Sequence, residues 1–413
     1  VPINRAKFMI TELTRGGRFK IRWRPADDLD FTLAGYRILQ RGSLAFVEPN
    51  VRPAPLLGAS TSPTPPHKSS NNIEPNSNTV NTTIYATGLY SADWFDTKLL
   101  VADQDQVAYQ NIYDFDGGQD NIAIFNGPNE PSRLKTAELQ FLSNDRGLTP
   151  GWLKWIGGLY YLNQEAGFDP FFATVGDVGL IPGADLFPIL SDLGSDAGNG
   201  PVNLGAFGVL ETNSYSGFAQ GTVSFADWLG FTLGVRYQEE DRFLVKQTTF
   251  AEVLGTGELE TFTYDQPKVK QDNLSTRATV ELRPLDDTLV YLTYARGFKS
   301  GSYNIVTLYT VPEYVQPEEV NSYEVGLKAT PFEGLTFNTA LFYNDIKDLQ
   351  ETKLSLLSGG AISAENAGGA RTKGVEFDAV WLPFTQWNPG LVLTGGATYI
   401  DAIYTDYQGA SGF

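Results

Sequence analysis

The sequence predicts an all-β protein: an antiparallel up-and-down transmembrane β-barrel wall of about fourteen strands. Three observations predict it. Apolar and polar residues alternate with period two over stretches longer than ordinary globular strands. The connections between those stretches are alternately short and long. All seven tryptophans sit at the short-connection end.

The expected strands run in order along the chain. Spans 17–24 and 30–39 flank the short turn PADDL at 25–29, and the Pro/Ser/Asn-rich stretch 40–81 follows. Spans 82–91 and 96–110 flank a turn at 92–95; spans 134–143 and 152–164 flank one at 144–151. Spans 214–226 and 229–247 are separated by two residues. Here Phe231, Leu233, Val235 and Tyr237 oppose Thr232, Gly234, Arg236 and Gln238. Spans 268–284 and 288–299 flank an Asp pair, and the first alternates most cleanly. Leu274, Thr276, Ala278, Val280 and Leu282 lie on one face, with Asn273, Ser275, Arg277, Thr279, Glu281 and Arg283 on the other. Spans 317–330 and 335–352 flank PFEG at 331–334; Phe342 is an apolar exception on the polar face. Spans 370–383 and 389–404 close the series. Pro, Gly and Asp in the short links are turn chemistry. The long links fall near 40–81, 111–133, 165–213, 248–267, 300–316 and 353–369. In a meander, alternate links lie at opposite ends, so one end is trimmed and the other elaborate, as in outer-membrane barrels.

Composition agrees and excludes other classes. The 413 residues include 26 Phe, 20 Tyr and 7 Trp, too aromatic for a disordered chain. With no Cys, thiolate metal sites, disulfides and Cys nucleophiles are impossible, and any His chemistry rests on His67 alone. A net charge of −18 argues against a nucleic-acid partner. No apolar run is long enough for a transmembrane helix. The mean hydropathy of −0.20 suits a soluble protein. It equally suits a membrane barrel, whose polar and apolar residues cancel along each strand. The chain starts VPINRAKFMI, with no initiator Met and no basic-then-apolar leader. It is therefore expected to be processed at its N-terminus or to be an internal piece of a longer protein.

Trp23, Trp94, Trp152, Trp155, Trp228, Trp381 and Trp387 all lie in or within a few residues of a short turn. Indoles favour the boundary between hydrocarbon and headgroups, so these seven are expected to form a membrane-interface girdle. The competing reading is a soluble β protein whose tryptophans cap one end of its core.

Three stretches carry a family resemblance. They are YLTYARGFKSGSYN at 291–304, VQPEEVNSYEVGLKA at 315–329 with FNTALFYNDIKDLQ at 337–350, and ENAGGARTKGVEFDAVW at 365–381 with LVLTGGATYIDAIYTDY at 391–407. In order, spacing and intervening turns, these stretches resemble the barrel of TonB-dependent outer-membrane receptors; residues 17–164 fit that pattern more loosely. The resemblance implies a 22-stranded barrel holding an N-terminal plug, set in the outer membrane of a Gram-negative bacterium. It implies energy-coupled uptake of a scarce ligand of the iron–siderophore, cobalamin or glycan class. Ligand would bind at the long-loop end, and TonB would act through the plug. No plug and no energy-coupling box are recognised in 1–413, and GASGF at the C-terminus lacks the alternation of a terminal strand signal. The chain is accordingly expected to be a barrel fragment. Its sheet is expected to be strongly curved, with first and last strands not paired to one another and prone to aggregate. A passive outer-membrane pore or adhesin-like barrel, and a soluble β-rich binding protein, are the alternatives.

Candidate chemical sites are few. His67 beside Lys68 could contact haem, but it stands alone in a polar loop. DFDGGQD at 114–120 has acidic spacing without the distal Glu of a Ca²⁺ loop. The acids at 239–241 and 318–319 read as strand-end charges. Phe171, Phe172, Tyr303, Tyr309 and Tyr314 are loop aromatics able to stack on a ligand or on one another. No nucleophile triad, phosphate loop or metal-helix motif is present, so no catalysis and no cofactor are expected. The expected partners are outer-membrane lipid, a small-molecule ligand, and TonB through the plug.

Overall fold

The computed structural model describes residues 12–42, 73, 75–114, 123–144, 146, 150–175, 201–305, 311–355, 361–384, 387, 388 and 390–407. Its strands are β1 (Glu12–Ala26), β2 (Leu29–Gly42), β3 (Asn76–Ser91), β4 (Phe95–Asp114), β5 (Ala123–Ser143), β6 (Leu153–Val175) and β7 (Val202–Ala226). They continue as β8 (Leu229–Val253), β9 (Glu258–Thr263), β10 (Val269–Leu285), β11 (Thr288–Lys299), β12 (Ser302–Tyr303) and β13 (Tyr314–Val315). Last come β14 (Glu318–Phe332), β15 (Leu335–Lys347), β16 (Gln350–Ser355), β17 (Ala361–Asn366), β18 (Gly369–Trp381) and β19 (Leu393–Asp406).

One antiparallel meander carries the molecule. Its order is β1-β2-β3-β4-β5-β6-β7-β8-β10-β11-β14-β15-β18-β19, and β9 adds to β8. Each of the fourteen expected spans overlaps one strand of this path, in sequence order. Among the described residues β1 pairs with β2 and β19 with β18, and no ladder joins β1 to β19. The hairpins β12–β13 and β16–β17 form two small separate sheets in the long connections.

Several of the expected long connections contain regular strand structure. β7 and β8 are each 25 residues long, and the β8–β10 link is mostly a hairpin made by β9. The strands therefore run well past the ten or so residues that a tilted crossing needs. Beyond that length water replaces lipid, and the apolar alternation that marks a strand to the eye is no longer required.

The short turns are stitched to their neighbours. The carbonyls of Asp28, Trp228, Asp287 and Gly334 accept N–H bonds from Ser91, Arg283, Thr330 and Leu382, at 2.7–2.9 Å. Gly334 closes the β14–β15 turn at φ 90°, a conformation open to glycine because it lacks a Cβ.

Burial is inverted relative to a soluble sheet. Leu159, Leu233, Leu292 and Leu341 are 52–63% exposed on one face. On the opposite face Thr212, Ser214, Thr232, Glu240 and Thr279 are buried. A single-layer sheet acquires such a difference when it curves, crowding the concave face. No second layer covers the Leu/Val/Phe face among the described residues, which removes the two-sheet sandwich.

Candidate functional site

The functional surface is the wall itself, and strand register builds it. One row of Cα partners runs Trp155, Gly221, Leu233, Ala278, Tyr294, Tyr323, Tyr343, all on the convex face. Leu233 stands four residues after Leu229, Tyr294 six after Thr288, and Tyr343 eight after Leu335. The row thus climbs about one residue per strand, the stagger of tilted barrel strands. It starts among tryptophans near the short turns and ends among tyrosines near the long links. Tyr294 and Tyr323 rings lie 5.2 Å apart, Tyr323 and Tyr343 6.2 Å, and Tyr161 and Tyr215 5.1 Å. Between the aromatic rows the convex face is apolar. Beyond the tyrosines it becomes charged at once: Arg133 pairs with Asp105 and Glu165, Arg296 with Glu319, and Lys373 with Asp401.

All seven tryptophans are described, and all lie at the short-turn end. Trp23, Trp155 and Trp381 are in register with the convex-face residues Phe31, Gly221 and Leu335. Trp94 lies in the β3–β4 turn, Trp152 just before β6, Trp228 in the β7–β8 turn and Trp387 in the β18–β19 link. Trp23 stacks on Phe31 at 5.6 Å, and Trp387 packs on Phe384 at 4.4 Å.

The concave face carries the charge near the short turns. Arg236, Arg277, Glu281, Glu324, Lys328 and Glu376 all project there, as their strand parity predicts. Asp30 holds Arg22 and Arg24; the Tyr291 hydroxyl donates to Glu324 at 2.6 Å, with Lys328 above the ring. Arg236 lies over the rings of Tyr160, at 5.2 Å, and Phe218, at 6.0 Å. With Glu138, Gln220 and Arg277 it lines a depression of about 360 Å³. Facing Thr hydroxyls bond across strands, Thr222 to Thr232 at 2.8 Å and Thr279 to Thr293 at 3.0 Å.

At the long-link end, side-chain amides rivet two connections together. Asn304 Nδ2 donates to the Ala364 carbonyl at 2.9 Å, and the Ala364 N–H donates back to Asn304 Oδ1 at 2.7 Å. Asn366 exchanges bonds with the Gln316 backbone and donates to the Asp348 carbonyl. Gln350 Nε2 donates to the Ser300 and Gln316 carbonyls, and its own N–H is accepted by Glu318. Gln271 Oε1 accepts from the Gly301 N–H at 3.1 Å and from Tyr314 at 3.2 Å; Tyr303 donates to the Pro267 carbonyl. Burial pushes the Tyr303 and Tyr314 phenols upward.

The other candidates divide. Tyr303 and Tyr314 meet edge-on at 5.4 Å, and Phe171 lies in β6, stacked on Phe125, not in a loop. Phe172 is also in β6. Glu239 and Asp241 face outward, whereas Glu240 is buried on the concave side with Arg242. His67, Tyr309 and residues 115–120 lie outside the described residues. No group of three or more His, Cys, Asp or Glu suited to a metal occurs among the described residues. Sequence reasoning missed the rivets. Asn304, Gln316, Glu318, Gln350 and Asn366 all lie in the stretches that carried the resemblance, which was the available signal.

An inside-out, tilted antiparallel wall with elaborate connections at one end has the architecture of an outer-membrane β-barrel wall. Residues 22–412 match the model of the family "TonB dependent receptor-like, beta-barrel", and the chain belongs to that family. It is thus an outer-membrane protein of a Gram-negative bacterium. The pesticin receptor of Yersinia enterocolitica is 32% identical over 128 residues, covering 30% of this chain and 18% of that protein. The crystal structure of the ferric yersiniabactin uptake receptor FyuA from Yersinia pestis superposes with a TM-score of 0.67 at 20% identity, covering 95% of this chain and 52% of that one. The copper transporter OprC superposes with a TM-score of 0.64 at 12% identity, covering 96% and 54%. The chain thus spans about half the length of its structural relatives, and at these identities the likeness concerns the fold.

Proposed function

We propose that this chain is the wall of a receptor that takes up a scarce ligand of the iron–siderophore, cobalamin or glycan class. Uptake is energy-coupled: TonB acts on a plug domain carried elsewhere in the full-length protein. The observation that carries this reading is the pairing of an inside-out, membrane-facing wall with a braced elaborate end, in a chain of this family. Relatives described as uptake receptors, about twice as long, support it. Ligand enters at the braced end. The seven tryptophans sit at the opposite, periplasmic interface, where amphipathic rings favour the headgroup region. The complete wall has 22 strands, of which fourteen are contributed here.

Accumulation assays test the proposal. Cells expressing the full-length gene are given radiolabelled ferric trihydroxamate, ferric tris-catecholate, cobalamin or maltodextrin, with TonB present or deleted. Accumulation of one of these that disappears without TonB is expected. Equal entry in both strains would mean a passive pore instead.

A further inference from the structure

The concave wall has two chemical zones. Near the short turns it is charged, as described above. Toward the long-link end, the concave-face positions of β2 to β7 contain no Asp, Glu, Lys or Arg. These are the alternate residues of 36–40, 77–85, 102–108, 132–136, 162–166 and 210–216. Amides and hydroxyls predominate, as at Asn81, Gln104, Gln106, Gln164 and Thr212. They interlock: Asn81 Nδ2 donates to Gln106 at 3.1 Å, and Thr83 donates to Asn81 at 3.0 Å.

Six charges on these strands point the other way. Asp103, Asp105, Arg133, Lys135, Glu165 and Glu211 occupy the intervening outward positions of the same strands. On β8 the inward charges cancel, because Arg242 Nε donates to Glu240 at 2.6 Å, and Gln271 also donates to Glu240. One inward acid, Glu130 of β5, lies level with Ala108 at the upper edge of the band, and burial pushes its carboxyl upward. The net charge of −18 adds no attraction for anions.

We propose that this neutral band selects an uncharged ligand rich in hydroxyls or amides over multiply anionic chelates. Neutral ferric hydroxamates and oligosaccharides share that chemistry. The inference deepens the transport reading and rests on it. Amide and hydroxyl side chains offer donors and acceptors together, matching a neutral polar solute. A trianion brought to this wall gives up hydration and meets no unpaired cation in return.

Calorimetric titration of the full-length receptor in detergent tests the proposal. The probes are an uncharged ferric trihydroxamate, a linear maltodextrin and a trianionic ferric tris-catecholate, at about 50 and 500 mM NaCl. One neutral probe is expected to bind at least about tenfold tighter than the trianion, its Kd moving less than about twofold with salt. Which neutral probe binds identifies the source. A tris-catecholate that binds as tightly as both neutral probes overturns the proposal, and so does absence of heat from both neutral probes. Gln104→Lys combined with Gln106→Lys is expected to improve tris-catecholate binding about tenfold, whereas outward-facing Asp105→Asn changes nothing. No gain in the lysine variant also counts against the inference. Uptake separates the two claims. Neutral-probe binding with TonB-independent entry defeats the transport reading alone, and TonB-dependent entry of the trianion alone defeats this one.

Discussion

Phe342 interrupts the polar face of its strand, and the neighbouring strand makes room for it. A Cβ on Gly374, its register partner, would meet the Phe342 ring at 2.6 Å. Such pairings act one residue at a time, as does Glu130. Burial keeps its carboxyl protonated to higher pH in the folded state than in the unfolded chain. The folded state then binds more protons across that window, so stability falls as pH rises through it. Glu130→Gln should flatten this fall. Thermal unfolding of the full-length protein between about pH 4 and pH 7 checks it, and an unchanged slope would count against the assignment. Asn366→Ala removes bonds to the Gln316 and Asp348 backbones. Each such bond contributes about 0.5–1.5 kcal/mol. Hydrogen exchange should quicken at Gln316 and over 361–366 while the β10–β11 ladder stays protected.

Strands read differently on their two faces, and that difference is measurable. Leu292 is 52% exposed on the convex face, between Val290 and Tyr294. Leu292→Arg should cost about 2–4 kcal/mol in a bilayer if it lies near mid-depth. Asn344 projects from the concave face, where it donates to Thr372. Asn344→Arg should cost about 1 kcal/mol, the lost bond alone. Urea unfolding of full-length protein from lipid vesicles separates the two; equal penalties would mean that the convex side does not face lipid. Strand ends were less legible than strand centres. β6 runs to Val175 and β7 begins at Val202, well inside the segment expected to be one long loop over 165–213. Lipid imposes alternation only within its own thickness, so the extensions into water left no periodic trace.

At the scale of the whole molecule, the proposed tryptophan girdle fixes the depth of the wall in the membrane. All seven tryptophans at one end predict emission quenched strongly by lipids brominated near the headgroup and weakly by lipids brominated at the chain terminus. Measurement on full-length protein in vesicles decides it, and stronger quenching by the deep label would remove the girdle. The stagger of about one residue per strand tilts the sheet, so a row that leaves the tryptophan rim at β6 reaches the tyrosine rim by β15.

By itself the sequence determined the strand order, the two faces and the end at which each link lies. Period-two alternation and turn residues are both local: the bilayer enforces the first, and backbone conformation the second. Tertiary structure alone decided which amides rivet the long links, how the rows climb, and that β2 to β7 present an uncharged band inward while Asp103, Asp105, Arg133, Lys135, Glu165 and Glu211 face outward. Asn304 and Ala364 are sixty residues apart along the chain. Contacts across that separation depend on register and stagger, which follow from the pairing of whole strands and do not show in the alternation of any one strand.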